Sequence, residues 1–225
     1  MNKTKGNKQE IANILAAIVG KQNLSSELND LSVCSGDLAF DSAFEAVLVV
    51  APGTRSELER VVREATSNYY SVIGRGGGLS YTGGFVPVTP NSVIVDTRRL
   101  DRILEINETD QYVRVEAGCT WSKLHQKLTN NGLRVPNFGP ASGAFSTVGG
   151  GLSQNSMFFG SASYGSVADH VLGLEVILAD GNNLRTGAGA MKESLPFFRY
   201  HGPDLTGLFL GDCGALGLKS VASLR

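Results

Sequence analysis

Cysteine is scarce in this 225-residue chain, and what there is does not suggest pairing. Cys34, Cys119 and Cys213 are odd in number and far apart, with no Cys-x-x-Cys, which argues against a disulfide framework or a zinc site. They are expected as buried, reduced thiols. His125, His170 and His201 share no HxH or HxxxH spacing, so no local metal site is expected. No run of about 18 apolar residues exists, which excludes a membrane-spanning helix. Neither sign of charge is in excess: Lys+Arg 20 against Asp+Glu 21 gives −1, without the basic surplus of a nucleic-acid binder. Hydrophobic residues at 42% also exclude the composition of a disordered chain. What remains is a globular chain long enough for one large domain or two small ones.

Glycine is the residue in excess, with 28 in 225 positions against a usual ~7%. The glycines lack a three-residue period, so collagen is excluded. They cluster at 74–84, 149–151, 187–189 and 211–217, where backbone turns sharply or approaches a ligand closely.

At the N-terminus, Lys3, Lys5 and Lys8 precede the apolar stretch 11–20 and mimic a signal peptide. Glu10 and Asn13 interrupt that stretch, and no clear small-x-small site follows. Ile11, Leu15 and Ile18 at helical spacing predict an amphipathic surface helix instead, with the cytoplasm as the default location. Residues 21–45 read as irregular.

Beyond them the pattern sharpens. Residues 46–51 predict a buried strand. Thr54-Arg-Ser-Glu57 has the form of a capping box, and Leu58, Val61, Val62 and Ala65 continue at helical spacing, so 54–67 predicts a helix. Short strands follow at 71–73 and 92–95, a spacing that suggests a small parallel strand–helix–strand unit. Residues 112–117 alternate, with Val113, Val115 and Ala117 on one face, which predicts a half-buried strand. Trp121, Leu124 and Leu128 form a helical stripe behind a Thr120 N-cap, with Gly132 beyond its end; Trp121 is read as core. Residues 173–179 and 183–186 flank Asp180-Gly181 and predict a hairpin. The charges of 96–101 read as a solvated face, and His170 and His201 as structural or exposed. The fold class is therefore α+β, with a small parallel unit followed by an antiparallel sheet with flanking helices. The divisions are a lead-in 1–40 and one domain 41–225, in subdomains 41–105 and 106–225.

The loop Ser71-Val-Ile-Gly-Arg-Gly-Gly-Gly-Leu-Ser-Tyr-Thr-Gly-Gly84 carries the chemistry. Leu79 or Tyr81 stands where a G-x-G-x-x-G fingerprint needs its third glycine, and no Gly-Lys-Ser/Thr occurs, so neither common nucleotide motif is present. Successive N–H groups of Gly76, Gly77 and Gly78 can still form an anion-binding concavity. Ser80 and Thr82 add hydroxyls, and Arg75 either adds charge or braces the loop against a carboxylate. Taken alone, the loop is equally a glycine-rich surface turn. A second segment, residues 140–155, again combines Ser142, Ser146, Thr147 and Ser153 with Gly149, Gly150 and Gly151. Two such loops suggest one elongated anionic ligand held between two lobes, as a dinucleotide such as FAD would be.

Three ordered blocks, 74–84, 146–155 continued by 164–181, and 202–225, make the chain resemble the FAD-binding (PCMH-type) domain of the vanillyl-alcohol oxidase superfamily, and more closely bacterial FAD-linked oxidases of the glycolate oxidase and D-lactate dehydrogenase kind. The resemblance implies a two-lobed FAD domain. Gly74, Arg75, Gly76, Gly77, Gly78, Leu79, Ser80 and Gly84 would lie along the pyrophosphate loop, and Ser142, Thr147, Gly149, Gly150, Ser153 and Met157 would touch the cofactor. Leu218 would meet the adenine end. Many relatives attach the flavin through a histidine where this chain has Leu79, so FAD is expected to be non-covalent. Relatives continue for roughly 200 residues into a substrate domain, the size of one further domain. The catalytic base would lie there, so no catalytic residue is named here. The implied activity is oxidation of a 2-hydroxy acid or related alcohol by hydride transfer to flavin N5. The alternative is a truncated or isolated FAD-binding module without substrate turnover of its own, or a subunit completed by a substrate domain or subunit on another chain. A branched side chain at Gly77 is expected to crowd the phosphate and reduce FAD retention.

Overall fold

The computed structural model describes residues 7–200 and 202–225. Lys3, Lys5 and His201, read above from sequence, lie outside the described residues. The first sheet contains β1 (Leu24–Ser25), β2 (Leu48–Val50), β3 (Ser71–Arg75) and β4 (Ser92–Asp96), in the spatial order β1-β2-β4-β3. β2 and β3 both run parallel to β4, and β1 is antiparallel to β2. The helices α1 (Lys8–Val19), α2 (Leu28–Cys34) and α3 (Arg55–Ser67) accompany it.

α3 starts where the sequence places it. Thr54 Oγ1 accepts from the Glu57 N–H, and the Glu57 carboxylate reaches back one residue further than a standard capping box, to the Gly53 N–H at 2.7 Å. Its face of Leu58, Val61, Val62 and Ala65 packs with Ile11, Leu15 and Val19 of α1 and with Leu48, Val50, Val93 and Val95 of the sheet. Each buried Val, Leu or Ile side chain among them stabilises the fold by about 1.5–3 kcal/mol. α1 is thus the expected amphipathic surface helix, its inner face in this core and Gln9, Glu10 and Asn13 exposed, with Val19 in the inward place expected of Ile18.

The second sheet has the order β5-β6-β9-β7-β8, from β5 (Ile103–Asn107), β6 (Tyr112–Glu116), β7 (Val171–Ile177), β8 (Asn183–Arg185) and β9 (Leu218–Leu224), all antiparallel. Asp180-Gly181 turns the β7–β8 hairpin, with Gly181 at φ 78°. α4 (Trp121–Thr129) and α5 (Val148–Ser153) pack on this sheet through Trp121, Leu124, Leu128, Val148 and Leu152. α4 is capped by Thr120, as expected.

The two sheets are joined through α3 and β7. Arg55 meets Glu175 at 2.7 Å, and Arg63 and Thr66 donate to the carbonyls of Asp180, Gly181 and Ala179. Ile177 and Leu218 of the second sheet sit in the core of the first. Burial pushes the Glu175 carboxyl up, but Arg55, Arg185 and Arg114 outweigh it and hold the group below the usual carboxylate range.

Four expectations need correction. Residues 21–45 are not irregular: they hold a short turn (Lys21–Asn23), β1 and α2. β6 is not half-buried, because Tyr112 and Glu116 on its second face are covered too, Glu116 by a two-pronged contact with Arg102 at 2.6 Å. The 96–101 segment is not simply solvated. Asp96, Thr97 and Leu100 are buried, and the Asp96 carboxylate accepts from the backbone and guanidinium of Arg98. Of the cysteines, all free, Cys119 is buried while Cys34 and Cys213 are only partly so. Burial pushes the Cys119 thiol up to about 11, which suits a core thiol.

Candidate functional site

Three chain segments that are remote in sequence meet between the sheets. β3 runs directly into the glycine loop, residues 140–153 lead into and form α5, and the turn at 211–217 leads into β9. Together they wall a cavity of about 440 Å³, within the usual range of small-molecule sites. The contacts are direct. Gly74 lies against Leu218, where an added Cβ would come within 2.6 Å of the side chain. The N–H groups of Gly211 and Cys213 donate to the last carbonyls of α5, those of Leu152 and Ser153.

Every residue named from sequence except Gly84 lines this cavity: Gly74, Arg75, Gly76, Gly77, Gly78, Leu79, Ser80, Ser142, Thr147, Gly149, Gly150, Ser153, Met157 and Leu218. Gly84 packs instead beside Cys213 and Gln154, outside the lining. The sequence reading passed over Gln154, Lys219 and Phe158, and Trp121 and Cys213 were not read as site residues, yet all five line the cavity. Trp121 is also core, 3% exposed and edge-on to Phe158 at 4.9 Å.

The glycines of the first loop have a reason unlike the one expected. A Cβ on Gly76 would collide with Thr147 Oγ1, and one on Gly77 with the backbone carbonyl of Phe145. Crowding at Gly77 is therefore against the neighbouring segment before it is against any ligand. The loop lies so close to residues 145–147 that only hydrogen fits. Among the described residues, no protein acceptor takes the N–H of Gly77, Gly78, Leu79 or Ser80. Buried or half-buried N–H groups without partners are costly, so these four are donors available to a ligand.

The second glycine segment differs. Val148 and Gly149 donate to the carbonyls of Cys119 and Ala117, Gly150 to Thr147 Oγ1, and Gly151 to the Thr147 carbonyl. Its backbone is engaged internally, and Gly149 serves close packing of α5 on Ala117. It contributes a wall and the hydroxyls of Ser142, Ser146 and Ser153, not a second backbone cradle.

The charge on the wall is of one sign. Arg75 and Lys219 line the cavity and no carboxylate does. The Arg75 guanidinium lies over Phe85 and braces the loop, but its partners are the carbonyls of Val33, Cys34 and Gly36, not a carboxylate. Burial lowers its pKa. Lys219, 2% exposed, meets Asp212 at 2.7 Å behind the wall. Burial lowers the ammonium pKa, and Asp212 opposes that shift. Asp212 also accepts from the N–H of Gly214 and Leu216, so the same carboxylate shapes the turn. Gln154 Oε1 accepts from Thr82 Oγ1 at 3.0 Å, and Thr82 is in turn 3.0 Å from Ser80 Oγ, which links the first loop to the end of α5.

No His/Cys/Asp/Glu group able to hold a metal occurs among the described residues. Neither His125 nor His170 lines the cavity. His170 is half-buried, and its carbonyl accepts from Arg225.

Comparison with known proteins agrees with this architecture. The family described as "FAD binding domain" matches residues 46–187, more than half of the chain. The glycolate oxidase subunit GlcD of Bacillus subtilis is 32% identical over 177 residues, covering 79% of this chain and 36% of that protein. A D-lactate dehydrogenase of Archaeoglobus fulgidus is 30% identical over 184 residues, 81% of this chain and 39% of that one. Among solved structures, p-cresol methylhydroxylase with substrate bound superimposes with a TM-score of 0.81 at 21% identity, over 99% of this chain and 44% of that one. The chain thus spans well under half the length of these proteins.

Proposed function

Since the chain belongs to the FAD-binding domain family, with the fold of the p-cresol methylhydroxylase type, we propose that the cavity between its sheets holds FAD non-covalently. The N–H groups of 77–80 would receive the diphosphate, and Ser142, Thr147, Gly149, Gly150, Ser153 and Met157 would form the opposite wall. Leu218 would close the adenine end. The observation that carries this reading is the donor set: residues 77–80, whose N–H groups have no acceptor among the described residues, line a cavity that has Arg75 and Lys219 but no carboxylate residue in its wall. A charge-assisted hydrogen bond contributes about 1.5–3 kcal/mol, so a few of them suffice for micromolar binding, roughly −8 kcal/mol. Leu79 at the tip of the loop, and the absence of His125 and His170 from the lining, support attachment without a covalent bond.

When bound, FAD would supply hydride acceptance from a CH–OH donor. The relatives' names point to glycolate and D-lactate, so the substrate class we propose is a small 2-hydroxy acid. The chain's own residues bind and orient; none of those lining the cavity is assigned as a proton acceptor. A second reading, an FAD-binding module that needs another polypeptide region for turnover, is favoured by the cavity rim. There Met157 is 71% exposed, and Phe159, two residues on, is also exposed, leaving apolar surface that a substrate domain or a second subunit would cover.

Both readings predict that purified protein quenches FAD fluorescence with a micromolar or tighter Kd and releases all flavin on acid precipitation. Anaerobic bleaching by glycolate or D-lactate supports turnover by this chain alone. Binding without bleaching by any 2-hydroxy acid supports the module. No FAD binding at all overturns the proposal.

A further inference from the structure

We propose that residues 33–40, the end of α2 and the turn after it, form a strap that sets the shape of the glycine loop, with Asp37 as its positioning residue; the proposal rests on the FAD reading above. The strap grips the loop at three places. At the start, the Arg75 guanidinium donates to the carbonyls of Val33, Cys34 and Gly36 at 3.1–3.3 Å. In the middle, the Leu38 N–H donates to the Ser80 carbonyl at 3.1 Å. At the end, the Gly83 N–H donates to Asp37 Oδ2 at 2.6 Å. The other carboxylate oxygen takes the N–H groups of Ala39 and Phe40 at 2.8 and 2.7 Å, so the Asp37 side chain cannot swing without losing three bonds.

The strap is itself fixed to the first lobe. Leu31 of α2 is buried, and Ser35 Oγ accepts from the Ala46 N–H. It precedes the stretch matched by the family, which begins at residue 46, so nothing in that match assigns it a role.

The loop needs such a template. Among the described residues, no protein acceptor takes the N–H groups of 77–80, so the loop's internal bonding does not fix where those groups point. The strap orients the peptide units from outside. Because a peptide unit is planar and trans, holding the Ser80 carbonyl on Leu38 turns the Tyr81 N–H away from the strap; Tyr81 lines the cavity. Donors fixed before a ligand arrives bind it with less loss of conformational freedom. Desolvation raises the Asp37 pKa, but the N–H groups of Ala39, Gly83 and Phe40 outweigh it and hold the carboxyl below its ordinary value. It therefore remains a carboxylate at neutral pH.

The test compares Asp37→Ala, Asp37→Asn and Leu38→Pro, the last removing the N–H that holds Ser80. Amide hydrogen exchange is followed in the FAD-free chain, and FAD Kd by fluorescence titration. The expected result is exchange of the Gly83 amide, which Asp37 holds, faster by about tenfold or more in Asp37→Ala, with β4 and β7 unchanged, and FAD binding weaker by about tenfold in Asp37→Ala and Leu38→Pro, equivalent to about 1.4 kcal/mol. Asp37→Asn keeps an acceptor oxygen and is expected to recover part of both. Should Asp37→Ala lose protection throughout, the other two variants decide. Wild-type exchange of the Gly83 amide in Asp37→Ala overturns the strap. So does an unchanged FAD Kd in a chain whose loop has loosened. If the unmodified chain takes up no FAD, the function proposed above fails, and the exchange result still decides the strap.

Discussion

The two glycine clusters look alike in sequence, yet they do different physical work. Gly76–Gly78 bring a loop against residues 145–147 and leave neighbouring N–H groups available. Gly149–Gly151 belong to a helix whose N–H groups are all engaged, and Gly149 lets that helix sit on Ala117. Glycine richness alone therefore does not identify an anion cradle. What distinguishes the two is whether the backbone donors already have acceptors.

The contrast can be broken most sharply at Lys219. Lys219→Met removes the partner of a buried carboxylate, and leaving a buried charge unpaired costs about 3–5 kcal/mol. Urea denaturation is expected to show that loss. A midpoint near wild type would mean that the 211–217 turn does not depend on the pair.

Next come paired substitutions in the two clusters. Gly149→Val overpacks α5 against Ala117 and is expected to destabilise by about 1–3 kcal/mol, seen as a lower Tm. Gly77→Val displaces the loop from the Phe145 carbonyl, and its main effect is expected on FAD, with Kd weakened by about tenfold or more. If Gly149→Val alters FAD binding more than stability, or Gly77→Val the reverse, the division of labour is wrong.

A smaller effect is expected at Thr147→Val. It removes the side-chain cap on the Gly150 N–H, worth about 0.5–2 kcal/mol, and melting curves read it directly.

The smallest effect concerns pH. The Cys119 thiol has a folded value of about 11 against an ordinary 9.0. Its stabilising contribution is complete below pH 9 and is lost as pH rises through 11. Iodoacetamide at pH 8 is accordingly expected to label Cys34 and Cys213 and spare Cys119; labelling of Cys119 in the folded chain would contradict its burial.

The sequence made legible whatever is governed by local chemistry. Thr54 and Thr120 mark helix starts because a hydroxyl cap needs only its own next residues. Asp180-Gly181 marks a hairpin because the turn needs positive φ there. α2 and β1 escaped because they are short, and no side chain caps α2. The second face of β6 looked polar because Glu116 and Tyr112 are polar, but each is covered through a partner, Arg102 or Glu105, that alternation cannot reveal.

Within the site, the glycines and hydroxyls were readable as chemistry, but their partners were not. Arg75 finds its acceptors about 40 positions earlier, and Gln154 reaches Thr82 across 72 residues. Lys219 did carry a signal: it is the single charged residue in the otherwise uncharged strand 218–224.

The most direct measurement is amide hydrogen exchange with and without FAD. Peptides spanning 77–80 are expected to exchange quickly in the free chain and slowly once FAD is added, while 148–151 are protected in both states. Protection gained at 148–151 with none at 77–80 would place the diphosphate on the other segment and contradict the account.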